Sequence, residues 1–187
     1  SNPDNIQARE ILAEIFYNTG DLDRSIAEYR RILDKNSNYL PSYIQLGWIY
    51  YRKGEFQMAT AWTKRGLKLG TRSPQLDSLS SMNLGLYSWL NNDYVAAKKW
   101  YRKALQGGSK NILNGILEDL KDTALLFPKK IAVDFFSGWI YMETGKKKMA
   151  LPHLTQFLNH ATENELSKEA RSMLGQKIPL ADENTTN

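Results

Sequence analysis

Two histidines, His153 and His160, are the only imidazoles in the chain and the first place to look for metal or acid–base chemistry. They stand seven residues apart in one helical stretch. That spacing sets them two turns apart on one side, too wide for the i, i+4 pair of a zinc helix, so both read as surface histidines. Glu118 and Asp119 are adjacent, and neighbours in sequence diverge on a helix rather than share a proton. Gly107-Gly108-Ser109-Lys110 lacks the leading glycine spacing of a phosphate-binding loop and follows a helix, not a strand. Cysteine is absent, which removes disulfides, thiol nucleophiles and zinc–thiolate sites together. The expectation is a chain with no catalytic, cofactor-binding or metal-binding residue and no small-molecule substrate.

The elements that carry these residues alternate helix and short polar turn. A stretch from Asn5 to Asn18 has Ile6, Ile11, Leu12, Ile15 and Phe16 on a helical period. Thr19-Gly20-Asp21 closes it, with glycine suited to the left-handed C-terminal position and Asp21 to the next N-cap. Further helices are predicted over 22–35, 42–52, 56–69, 75–90 and 94–105, with Asn91-Asn92-Asp93 standing in for a Gly-Asp turn. Gly20-Asp21-Leu22 recurs as Gly54-Glu55-Phe56 after 34 residues. Leu46 to Leu84 is 38 residues, and Leu84 to Ser137 is 53. The second excess holds one inserted helix, about 111–127, stopped by Pro128. Helices over 131–143 and 147–159 follow. A short helix about 163–175 has the charged face of a cap on an array, and a polar tail runs over 181–187.

Length and composition fit that plan. The 187 residues are 42% hydrophobic and 24% charged with a net charge of +5, too modest to choose among acidic protein, nucleic acid and anionic lipid. No run reaches the roughly 18 apolar residues of a membrane span. No apolar signal segment opens the chain. Ser1-Asn2 has the form of a tag-cleavage scar, so an excerpt of a longer protein, with an anchor trimmed away, stays open. The compartment, cytoplasmic or bacterial periplasmic, is open too.

Large, small and turn residues recurring in phase identify the repeat. The first copy has Leu12, Ala13, Phe16, Gly20, Ser25 and Tyr29. The second has Tyr43, Leu46, Gly47, Tyr50, Gly54, Phe56, Ala59 and Gly66, and the third Leu84, Gly85, Tyr94, Ala97, Tyr101 and Ala104. The fourth has Gly138, Tyr141, Gly145 and Ala150. With these residues the chain resembles the tetratricopeptide repeat family. The resemblance implies an all-α, right-handed superhelix of antiparallel helix pairs. The copies are about 6–39, 40–73, 78–111 and 131–164, within a single domain over 1–180. Gly47, Gly85, Gly138, Ala59, Ala97 and Ala150 let the two helices of a pair approach. Arg9 stands where the family has a large aromatic, and the proline closing each copy is missing. With the inserted helix, these departures leave the stacking after residue 110 open.

The family lines its concave face with the second, fifth, ninth and twelfth positions of the first helix of each pair. Here these are Gln7, Glu10, Glu14 and Tyr17, then Pro41, Ile44, Trp48 and Tyr51. The third copy gives Leu79, Met82, Leu86 and Trp89, and the fourth Ala132, Phe135, Trp139 and Met142. After an acidic entrance the lining is apolar and aromatic, rich in types common at binding hot spots. The implied site is a groove for a partner peptide or helix, built from Tyr17, Ile44, Trp48, Tyr51, Met82, Leu86, Trp89, Phe135, Trp139 and Met142. An alternative stands beside it: the inserted or closing helix fills the groove and makes these residues core.

A carboxylate clamp is not expected, because Glu10 and Glu14 occupy its positions and repel a C-terminal carboxylate. Lys64, Arg65, Lys68, Lys98, Lys99, Arg102 and Lys103 fall on the outer helices, with Lys146-Lys147-Lys148 beyond. They read as a solvated face, with no nucleic-acid module beside them. Asn184-Thr185-Thr186 fits a glycosylation sequon that matters only in a eukaryotic secretory setting. The function read from this is a non-enzymatic scaffold or adaptor for a protein partner. Its alternatives are a secretion-type chaperone sheathing apolar client segments and an accessory module of a larger enzyme. Membrane contact is expected only through a partner or a trimmed anchor, and a homo-oligomer stays open.

Overall fold

The same turn is built four times, and it sets the helix pairing. Gly20, Gly54, Asn92 and Gly145 all have positive φ, at 84°, 76°, 63° and 74°. Around each, one amide reaches back across the helix end: Asp21 N to Phe16 O, Glu55 N to Tyr50 O, Asp93 N to Ser88 O and Lys146 N to Tyr141 O, at 2.8 to 2.9 Å. These are Schellman closures that satisfy the orphan carbonyls of a helix terminus. Asn92 is the one non-glycine residue at positive φ among the described residues. Asparagine tolerates this region because its short amide bonds locally.

The structure is a computed structural model describing residues 5–70, 73–106, 109–128, 130 and 132–175. Ser1-Asn2, Thr71, Gly107-Gly108, Ile131, the polar tail and its Asn184 sequon lie outside the described residues. Ten helices and no strand occur among the described residues. They are α1 (Ile6–Asn18), α2 (Leu22–Lys35), α3 (Leu40–Arg52), α4 (Phe56–Lys68), α5 (Pro74–Leu90), α6 (Tyr94–Leu105), α7 (Lys110–Leu126), α8 (Ala132–Glu143), α9 (Lys147–His160) and α10 (Glu165–Met173). None of these is long and apolar enough to cross a membrane. Side-chain caps start several: Asn5 Oδ1 accepts from Gln7 N and Ala8 N, Asp21 from Arg24 N, Asp93 from Ala96 N. Asn164 and Ser167 form a reciprocal capping box at α10.

Two compact units are present, one ending at Leu113 and the other beginning at Asn114, so the boundary falls inside α7. The sequence predicts one array over 1–180 with α7 as an insertion; the structure divides at that insertion. In the first unit α1 pairs with α2, α3 with α4 and α5 with α6, while α2 lies on α3 and α4 on α5. In the second, α8 pairs with α9, and α10 packs on both.

Each pair closes on one small-against-large contact. A Cβ added to Gly85 would stand 2.6 Å from the Tyr101 ring, and one added to Gly138 2.6 Å from Leu154 Cγ. Gly47 meets Thr63 in the same way. The partners occupy the same two repeat positions in all three pairs, and Ala59, Ala97 and Ala150 are fully buried. A larger side chain at any of these sites would push its pair apart.

Candidate interaction groove

Tyr17 on α1 and Trp48 and Arg52 on α3 form a polar-aromatic cluster in the first unit. The Tyr17 hydroxyl accepts from Trp48 Nε1 at 2.9 Å and from Arg52 Nη1 at 3.1 Å. The Arg52 guanidinium also lies over the Tyr17 ring, 5.4 Å from its centroid. Both lone pairs of the phenol oxygen are thereby used, and its O–H is left to donate. Trp48 packs on Tyr51 at 4.8 Å, and Tyr51 stacks on Tyr87 at 5.7 Å. The helix geometry makes this cluster: Trp48, Tyr51 and Arg52 follow at i, i+3 and i+4 and share one face.

The ten predicted groove residues separate by exposure. Ile44, Tyr51, Met82, Leu86, Trp89, Phe135 and Trp139 are all 8% exposed or less, so seven of the ten side chains have no free surface to offer. Tyr17, Trp48 and Met142 are half-buried, and Arg52 and Glu14 are exposed. Phe135 packs edge-on against Phe136 at 5.2 Å and Phe157 at 5.4 Å inside the second unit. At the acidic entrance, the Glu10 carboxylate accepts from the Tyr39 hydroxyl; burial first and this bond second hold the phenol above its ordinary range.

Sequence reasoning misses Arg52, which lies one place beyond the lining positions. It also misses a seam between the two helices of each pair. Arg9 Nη1 meets Glu28 Oε2 at 2.8 Å, and Arg31 also pairs with Glu28, which is 4% exposed. The same two positions of the second copy hold Tyr43 and Trp62, with centroids 5.9 Å apart. The fourth copy holds Asp134 and His153, with Oδ1 and Nδ1 3.3 Å apart. Nineteen residues separate each pair, a spacing readable in the sequence once the copies are aligned.

His153 is thus half-buried rather than a plain surface histidine, and it stacks on Tyr141 at 5.6 Å. Around it lies a cavity of about 410 Å³ lined by α7, α8 and α9, with Leu117, Lys121, Val133 and Ser137 in its wall. His160 is exposed, 3.1 Å from the Gln156 carbonyl. No group of three or more potential metal ligands occurs among the described residues. Glu118 is exposed while Asp119 is turned inward with Oδ2 buried and lacking a hydrogen-bond donor. Burial, then Asp122 and Glu118, push the Asp119 carboxyl up to about 7.

The basic set lies on α4 and α6 and at the start of α9, all exposed except half-buried Lys98. Arg65 covers the Trp62 ring at 4.6 Å and Lys103 the Trp100 ring at 5.4 Å, so part of the charge is held over aromatic faces.

Residues 1–40 and 40–69 each match a tetratricopeptide repeat profile. Tetratricopeptide repeat protein 8 of Caenorhabditis elegans is 30% identical over 84 residues, which are 45% of this chain and 16% of that protein's length. Among solved structures, one described as the functional characterisation of Pseudomonas aeruginosa pilF superposes with a TM-score of 0.57 at 17% identity, covering 91% of this chain and 83% of that one. A tetratricopeptide repeat protein from Parabacteroides merdae gives 0.53 at 13% identity, covering 92% and 72%. The MamA protein gives 0.51 at 16% identity, covering 92% and 97%. These likenesses are of fold. Proteins of this kind mediate protein–protein interactions and are in general non-enzymatic scaffolds. The all-α helix pairs, the four-fold turn and the matched profiles agree: residues 1–69 match tetratricopeptide repeat profiles, and the chain has a tetratricopeptide-like fold.

Proposed function

We propose that the chain is a non-enzymatic adaptor that takes an extended peptide or helix of a partner protein along α1 and α3, anchored on Trp48. The observation that carries this reading is the Tyr17–Trp48–Arg52 cluster. It offers an aromatic face, an unused phenol donor and an exposed guanidinium within one small area. Its rings are fixed by mutual hydrogen bonds, so little ordering entropy is lost on binding. The matching ligand has an apolar or aromatic anchor, a backbone carbonyl for Tyr17 and an acidic group for Arg52. In the second unit, Met142 is the one predicted lining residue with accessible surface.

The burial pattern favours the adaptor over the chaperone. A chaperone for apolar clients needs a broad greasy surface, and seven of the ten apolar lining side chains are closed off. The test is affinity capture from the native cell with wild type and Trp48→Ala/Arg52→Ala as baits. Bound partners should fall at least tenfold with the variant. Equal capture by both would reject the site. Trp89→Ala is not a fair probe, because Trp89 is 1% exposed and its loss would damage the fold itself.

A further inference from the structure

The second helix of each pair in the first unit carries the same two basic positions. The twenty-fifth and twenty-sixth repeat positions are Arg30-Arg31 on α2, Lys64-Arg65 on α4 and Arg102-Lys103 on α6. All six side chains are exposed. The fourth copy has Thr155-Gln156 there, so the ladder belongs to the first unit. Two of its steps meet on one ring: the Arg30 and Arg65 guanidiniums lie over Trp62, 5.6 and 4.6 Å from its centroid. Lys103 lies over Trp100, which holds the position of Trp62 in the next copy. A solvated face normally interleaves both signs, as α10 does with Glu165, Lys168, Glu169 and Arg171. Neither α4 nor α6 contains an Asp or Glu. The groups that hold these cations are neutral: Arg30 Nη2 donates to the Tyr50 hydroxyl at 2.7 Å, and indole faces take Arg65 and Lys103. On α2, Glu28 is already shared between Arg9 and Arg31. Like charges gathered this way repel, and an anion from outside relieves the repulsion.

We propose that this ladder is a docking surface for an acidic stretch of a partner protein, rich in Asp and Glu and laid across α2, α4 and α6. Guanidinium forks match carboxylates, and the ring and phenol contacts orient them before binding. The spacing suits a polypeptide. Through Trp62, Arg30 and Arg65 are at most about 10 Å apart, which three residues of extended chain or two turns of helix span. A single-stranded nucleic acid stacks its bases on open aromatic faces, and here Trp62 and Trp100 already carry cations on theirs. A bilayer takes apolar side chains inserted beside the basic ones, and both indoles are half-buried. A second copy of this chain fits poorly, because each copy carries a net charge of +5 and no stretch of it has more than two acids in a row. The ladder lies on the second helices of the pairs and the Trp48 cluster on the first, so this proposal does not rest on the groove reading.

The probe is a rhodamine-labelled dodecapeptide of glutamate, with its glutamine counterpart as control. Anisotropy titrations at low and high salt compare wild type with two triple variants. Lys64→Gln/Arg65→Gln/Lys103→Gln removes three charges from the ladder, and Lys146→Gln/Lys147→Gln/Lys148→Gln removes three exposed charges at the start of α9. Wild type should bind the glutamate peptide and not the glutamine one, and more weakly as salt rises. The ladder variant should lose at least about tenfold in affinity and the α9 variant less than about twofold. Lys64→Gln alone, at an exposed side chain, should lose at least about twofold, and it keeps the comparison valid where the triple variant melts below wild type. Absence of binding to wild type, or equal losses in the two triple variants, overturns the proposal. Tighter binding of oligothymidylate or of phosphatidylserine vesicles, lost in the ladder variant, would make nucleic acid or membrane the occupant and overturn it too. So would a salt-sensitive dimer in sedimentation that the ladder variant abolishes.

Discussion

Glu28 and Asp119 are both carboxylates taken out of water, one in each unit, and they are kept there by opposite means. Glu28 is 4% exposed and held by two guanidinium groups, Arg9 across the seam and Arg31 on its own helix. Asp119 has no donor at its buried Oδ2, and its charged neighbours Asp122 and Glu118 share its sign. A buried anion needs a paired cation or a proton. The first unit supplies cations, two guanidinium groups against one carboxylate. The second supplies only repulsion and burial, which raises the carboxyl to about 7 and lets a proton do the neutralising. The lesson is that burial alone does not fix the charge state; the partner does.

The largest effect should come from removing the cation that crosses the seam. Arg9→Met leaves Glu28 with Arg31 alone, which is largely exposed, and should destabilise the first unit by about 2 to 4 kcal/mol. Urea unfolding measures it, at unchanged slope. Adding Glu28→Leu should return stability to within about 1 kcal/mol of wild type, because an apolar pair replaces a stranded charge. A loss below about 0.5 kcal/mol in the single variant would show that Glu28 is not the paired anion described above.

Asp119 should give the next effect, and its sign is set by pH. Its folded value, about 7, lies above the ordinary 3.8, so the folded chain binds this proton more tightly than the unfolded chain. Between these two values stability falls as pH rises, and above about 7 the loss is complete. The shift corresponds to at most about 4 kcal/mol, and relaxation of the site reduces it. Asp119→Asn should flatten the slope and stabilise the protein at about pH 8 by about 1 to 3 kcal/mol. Melting curves of both proteins from about pH 4 to about pH 8 check this; parallel curves would refute it.

Much of this architecture was legible in the residues. Gly20, Gly54, Asn92 and Gly145 mark the turns because positive φ admits few residue types, and all four appear where the spacing predicts. Gly85 and Gly138 mark close contacts for an equally local reason, the lack of room for a Cβ. The Arg9–Glu28 and Asp134–His153 seams are harder to see. The residue types change from copy to copy while the geometry stays, so no consensus letter reports them. Accessibility of the candidate groove is harder again. Trp48 and Trp139 occupy the same, ninth, lining position, and only tertiary packing leaves the first half-exposed and buries the second. The division inside α7 is likewise not local, since that helix reads as one uninterrupted apolar stripe.

The smallest effect belongs to the fourth copy's version of the seam. Asp134 and His153 hold the same positions as Arg9 and Glu28, with the acid now on the first helix, but both side chains are more than a third exposed. Water screens the pair, and the histidine carries charge only when protonated. Asp134→Asn should therefore cost under about 1 kcal/mol. Added salt should erase the difference, since the Debye length falls to about 3 Å at 1 M. Unfolding the variant and wild type, each with and without salt, measures this. A cost as large as that of Arg9→Met would mean that position in the repeat, rather than removal from water, sets the strength of the seam. It would dissolve the distinction drawn between the two units.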